Sequence, residues 1–138
     1  MNRLLIFFVG LVLINCENKN EDCSTVICEA VNYQVKLTSK NDGENIVLTE
    51  QLTEDDFSIT SNENEQIDLF VRDGILIVYP ENEINGNHKL SFKSSLIEYS
   101  YEFLKEGNGC CDWGNLSGVD VVDNTFVVDE KLLEIFLD

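Results

Sequence analysis

The chain contains one proline, one alanine, one histidine, one tryptophan and one methionine in 138 residues. So little alanine leaves few positions that favour a helix, and so little proline leaves long stretches free to pair as strands. Basic side chains are scarce too: 9 Lys and Arg stand against 26 Asp and Glu, a net charge of −17. That balance argues against nucleic acid as a partner, because phosphate contacts need a basic face. It equally disfavours adhesion to an anionic membrane by charge alone. The lone His88 has no second element at a suitable spacing for a Ser-His-Asp or Cys-His site, and neither a Gly-x-Ser-x-Gly elbow nor a phosphate-binding glycine loop occurs. Between Asn87 and Lys89, behind a turn, His88 reads as an exposed residue at a strand start.

What the chain does have is β-forming. Its apolar fraction is 43%, with 8 Phe and 4 Tyr, enough for one packed core, while the length leaves room for a single domain. Period-two alternation recurs. Val31, Tyr33, Val35 and Leu37 alternate with polar residues, as do Leu90 and Phe92, and Ile97, Tyr99, Tyr101 and Phe103. Ile67, Leu69 and Val71 share one parity with Phe70 on the other, and Ile75 to Tyr79 is apolar throughout, as in a strand covered on both faces. Asp42-Gly43, Asp73-Gly74 and Asn85-Gly86 supply the positive φ of tight hairpins, Gly107-Asn108-Gly109 marks a loop, and Pro80 ends a strand. Asp129 could cap a short closing helix, but Lys131–Leu137 is favoured as a strand because β character continues from Val127-Val128. Seven to eight short antiparallel strands at this spacing predict an all-β sandwich.

The N-terminus reads differently. Arg3 precedes an apolar run from Leu4 to Ile14, interrupted by Gly10. Eleven residues are too few to span about 30 Å of hydrocarbon, and the basic flank fits a secretory signal. Leu13-Ile14-Asn15-Cys16 resembles a bacterial lipobox, with Asn15 in place of the usual small residue. The resemblance implies cleavage before Cys16 and attachment of palmitate-type acyl chains to it, and two or three such chains anchor firmly. The polar stretch Glu17–Asp22 resembles the acidic, Lys-containing tether that directs lipoproteins of Bacteroidota to the cell surface. A plain signal peptide followed by an ordinary linker is the competing reading. The expected organisation is 1–15 signal peptide, 16–24 lipidated Cys and tether, and 25–138 β-sandwich domain.

Four further cysteines, Cys23, Cys28, Cys110 and Cys111, form an even set, which in an exported chain suggests disulfides. A vicinal Cys110–Cys111 bridge would be strained, so each is better paired with one of Cys23 and Cys28, closing loops of more than about 80 residues. Zinc is the alternative for four cysteines, but neither pair has the CxxC spacing of a zinc knuckle.

Candidates for chemistry are few. Glu54-Asp55-Asp56 forms one acidic group, and Asp112, Asn115, Asp120 and Asp123 form a second that could offer oxygens to Ca²⁺, although neither has EF-hand spacing. Solvated turn residues are the competing reading for both. Trp113, beside Cys111, is either a plug packed on a disulfide or an exposed platform for a sugar ring. No cofactor is expected.

With its lipobox Cys, early Cys pair and the segments Val31–Lys40, Asp42-Gly43-Glu44-Asn45 and Ile46–Leu52 read as strand, turn and strand, the chain resembles small outer-membrane lipoproteins of flavobacterial type. That resemblance implies an Ig-like sandwich held at the outer membrane by its lipid and facing the cell surface. It brings no catalytic residues. The expected function is non-enzymatic: a binding or structural module whose partner is another envelope protein or a glycan. The alternative is a carboxylate-dependent glycan hydrolase or its glycan-binding accessory, since a glycosidase needs only two suitably spaced carboxylates.

Overall fold

The computed structural model describes Cys23 and residues 26–80, 84–105, 107 and 109–138. The signal segment, Cys16 and the rest of the tether apart from Cys23 lie outside the described residues.

Among the described residues ten strands build a sandwich: β1 (Tyr33–Ser39), β2 (Phe57–Ser61), β3 (Asp68–Arg72), β4 (Ile75–Tyr79), β5 (Asn85–Phe92), β6 (Ser95–Leu104), β7 (Asn115–Leu116), β8 (Asp120–Val121), β9 (Thr125–Asp129) and β10 (Leu132–Leu137). One sheet has the order β3-β4-β1-β10-β9; the other runs β2-β5-β6, with the short β7 and β8 both paired to β6. All pairings but one are antiparallel. The exception is β1 with β10, which run parallel from Gln34↔Leu132 to Ser39↔Leu137. A parallel pair needs a long crossover, and here that connection is the whole intervening domain, which places the first and last strands side by side. The closing stretch is a strand, as favoured from its β character.

Alternation decides which side chains meet. Tyr33, Val35 and Leu37 of β1, Leu76 and Val78 of β4, and Leu133 and Ile135 of β10 are fully enclosed. They face Ile59 of β2, Leu90 of β5, and Ile97, Tyr99, Tyr101 and Phe103 of β6 across the sandwich. Asp73 (φ 50°) and Gly74 (φ 77°) make the two-residue turn between β3 and β4, where positive φ at both positions matches the strand twist. Pro80 follows β4 directly.

Three expectations need correction. Ile75–Tyr79 is covered on one face only: Leu76 and Val78 are buried, whereas Ile75, Ile77 and Tyr79 are half-buried on the outer face, where Tyr79 meets the edge of Phe70. Asn85-Gly86 is not a turn but the start of β5, paired with Glu102 and Tyr101; the hairpin turn lies instead at Lys93 (φ 52°) and Ser94. Ile46–Leu52 does not form a strand. Asn45 accepts a hydrogen bond from the Leu48 N–H through its side chain and caps a single helical turn, α1 (Ile46–Thr49), while its amide donates to the Gly74 carbonyl at 2.9 Å. Capping at Asn45 satisfies backbone groups locally that a hairpin would have paired across strands.

Candidate functional site

Two regions concentrate the unusual chemistry of the chain. One is the end of the sandwich where the chain enters; the other is a polar cluster between the sheets.

At the entry, Cys23 is bonded to Cys110 and Cys28 to Cys111, with Cα–Cα distances of 5.3 and 5.1 Å. Each early cysteine thus takes one of the adjacent pair, as the spacing predicts, and the sulfurs are committed to covalent bonds instead of zinc. The loop that receives them is stiffened locally. Asp112 accepts a hydrogen bond from the Gly114 N–H at 2.9 Å through its side chain, and Gly114 adopts φ 77°. A Cβ at Gly114 would collide with the backbone of Leu104 and Lys105, so only glycine allows β6 and this loop to approach so closely. Leu116 then donates its N–H to the Glu130 carbonyl at 2.8 Å, tying the loop to the turn between β9 and β10.

Trp113 sits half-buried against the core, and its indole N–H donates to the Glu29 carbonyl at 3.0 Å. The ring therefore holds the entering segment in place from one side while the disulfides hold it from the other.

The second region overturns the reading of His88. It is not exposed at a strand start; it is 1% exposed, in the core. Its strand begins three residues earlier, and the parity of Leu90 and Phe92 carries back to His88, so the imidazole points between the sheets. Its Nδ1 lies 2.6 Å from the Tyr33 hydroxyl, which lies 2.8 Å from the Tyr99 hydroxyl. Two proton arrangements satisfy both bonds with a neutral imidazole: either Tyr99 donates to Tyr33 and Tyr33 to Nδ1, or the Nδ1–H donates to Tyr33 and Tyr33 to Tyr99. The second leaves Nε2, which is buried with no hydrogen-bond partner among the described residues, as a bare acceptor and not as an unpaired N–H. The rings of Tyr33, Tyr99 and Tyr101 surround the imidazole, with Tyr101 closest at 4.8 Å between centroids. Burial holds the imidazole pKa down to about 4, and raises the pKa of both Tyr33 and Tyr99. The cluster is a neutral hydrogen-bonded seam at all ordinary pH.

The acidic candidates disperse. Asp112 is occupied as the cap just described, Asn115 lies in β7, Asp120 in β8, and Asp123 at φ 58° in the turn after β8. Among the described residues no group of three or more His, Cys, Asp or Glu side chains stands where it could hold a metal ion. In the group Glu54-Asp55-Asp56, a 3₁₀ turn, Asp56 accepts from the Thr53 N–H at 2.8 Å and hydroxyl at 3.1 Å, closing a capping box. A shallow cavity of about 160 Å³ on the outer face of the second sheet is lined by Asn62, Asn87, Lys89, Glu98, Ser100 and Asp120, among others. It contains two carboxylates, but Lys89 lies 3.4 Å from Glu98, and Trp113 is not part of it.

No protein-family model, no curated protein and no solved structure matches the chain. Its functional reading therefore rests on its own residues.

Proposed function

We propose that the chain is an exported lipoprotein, acylated on Cys16 and held at the outer membrane facing the cell surface, whose Ig-like sandwich serves as a non-enzymatic binding or structural module for an envelope protein or glycan. The observation that carries this reading is the double fastening of the entering chain. Cys23 and Cys28 lie seven and twelve residues beyond Cys16, and both are bonded to the adjacent Cys110 and Cys111. Disulfides persist in oxidising compartments, and two of them at the point of attachment suit a domain that hangs by its N-terminus. The lipobox-like Leu13-Ile14-Asn15-Cys16 supplies the attachment.

The hydrolase alternative gains no specific support. A glycosidase acid needs a carboxyl pKa raised by its surroundings. Among the described residues, Asp42 and Glu134 are displaced the other way: Asp42 by the Glu44 backbone N–H and the Ser39 hydroxyl, and Glu134 by the Lys36 ammonium and the Thr38 hydroxyl. Metabolic labelling with an alkynyl fatty acid tests the proposal. Wild type should incorporate label and Cys16→Ala should not; equal labelling of the two would overturn the lipid anchor.

A further inference from the structure

The short loop between the two staples carries Val26 and Ile27, which are 47% and 96% exposed. An isoleucine almost wholly in water is costly, since burying such a side chain is worth about 1.5–3 kcal/mol. Ile27 lies one residue before Cys28, which is bonded to Cys111, and Val26 three residues after Cys23, which is bonded to Cys110, while Trp113 packs against the core. The end of β6, from which the chain runs on towards Cys110, is also apolar: Leu104 is 58% exposed, and Ile84, whose carbonyl accepts the Phe103 N–H at 2.7 Å, is 53% exposed.

We infer that the Val26-Ile27 knuckle is a membrane-contact surface that seats in the interfacial layer of the bilayer to which Cys16 is anchored. The inference rests on the lipoprotein reading above, and the length of the tether argues for it. Seven residues separate Cys16 from Cys23; fully extended they reach roughly 25 Å, and as a flexible coil about 15 Å. The radius of gyration of a domain this size is about 13 Å, so the tether is no longer than the domain is wide. The stapled end is therefore held within about 25 Å of the bilayer, nearer to it than the far end of the domain. With a net charge of −17 the chain has no electrostatic attraction to an anionic surface, which leaves apolar insertion as the means of contact.

Trp113 is the natural reporter, being the only tryptophan and bonded to Glu29, two residues from Ile27. The lipidated mature protein is reconstituted sparsely in phosphatidylcholine vesicles with and without brominated phosphatidylcholine. Brominated lipid should quench Trp113 in the wild type. Ile27→Asp should shift the docked-to-undocked ratio by roughly tenfold or more and reduce the quenching accordingly. Leu96→Asp, 58% exposed at the opposite end of β6, should leave it unchanged. Acyl labelling is measured on the same samples. Labelled wild type without quenching would overturn the membrane contact while leaving the anchor intact; that is the result if the knuckle seats on another protein. Equal quenching of wild type and Ile27→Asp would overturn it as well. Unlabelled wild type would overturn the anchor and, with it, this inference.

Discussion

Because the two disulfides join neighbouring positions at both ends, their contributions to stability cannot be independent. Taken alone, either bridge closes a loop of 87 or 83 residues, which the chain-entropy model values at about 4.6 kcal/mol. Once one bridge exists, the second closes only the small ring made by the segments 23–28 and 110–111, about six residues, worth about 2 kcal/mol in the same model. Removing one bridge as a paired substitution, Cys23→Ser with Cys110→Ser or Cys28→Ser with Cys111→Ser, should therefore cost about 2 kcal/mol. Removing both should cost about 6 to 7 kcal/mol, more than the sum of the two single losses. Urea unfolding without reductant, on wild type, the two paired variants and the four-fold variant, measures all the terms. The four-fold variant also identifies which regime holds if it unfolds outright, since total stabilities of small domains lie at about 5–15 kcal/mol. A loss of 4 kcal/mol or more from each paired variant, with the four-fold loss equal to their sum, would refute the shared-loop reasoning.

Other consequences follow from the core and the entry loop. His88 binds its proton near pH 6.5 when unfolded and near pH 4 when folded. Its stabilising contribution is thus complete above about pH 6.5 and is lost as pH falls towards 4, by about 3 kcal/mol in all. Urea midpoints at pH 7 and 4.5 should show a larger drop in wild type than in His88→Phe, and equal drops would contradict the buried neutral imidazole. Tyr33→Phe removes the hydroxyl shared by His88 and Tyr99 and should cost about 1–3 kcal/mol by chemical denaturation, since it leaves buried polar groups unpaired. Gly114→Ala forces a Cβ into the backbone of β6 at a left-handed φ; it should cost about 1–3 kcal/mol and increase proteolysis around the entry loop, and a neutral effect would contradict the close approach.

The strands were legible where polar and apolar residues alternate cleanly. Tyr33-Val35-Leu37 and Ile97-Tyr99-Tyr101-Phe103 define inward faces by themselves. That each early cysteine takes one of the adjacent pair was legible too, because a vicinal bridge is sterically poor; which takes which, Cys23 with Cys110 and Cys28 with Cys111, was not. His88 was hidden by residue type, since a titratable side chain between Asn87 and Lys89 suggests solvent; the parity running back from Leu90 was the signal that places it inside. Asn85-Gly86 carries a hairpin dipeptide but lies opposite Tyr101 and Glu102, and the pairing of the long β6 overrides local turn preference. At Asn45 the reverse holds, with one side chain capping a turn that the apolar pattern of Ile46–Leu52 does not reveal. Partners in a sheet that are distant in sequence, such as β1 with β10, leave no local trace at all.

The proposed acylation of Cys16 and the fastening of Cys23 and Cys28 fall within one short stretch of the chain. Mass-spectrometric mapping of the protein extracted from membranes, digested without reduction, tests both together. It should find Cys16 as an acylated N-terminal residue, with Cys23 linked to Cys110 and Cys28 to Cys111. An unmodified Cys16 inside a longer N-terminal peptide would contradict the first, and a Cys23–Cys28 bridge the second.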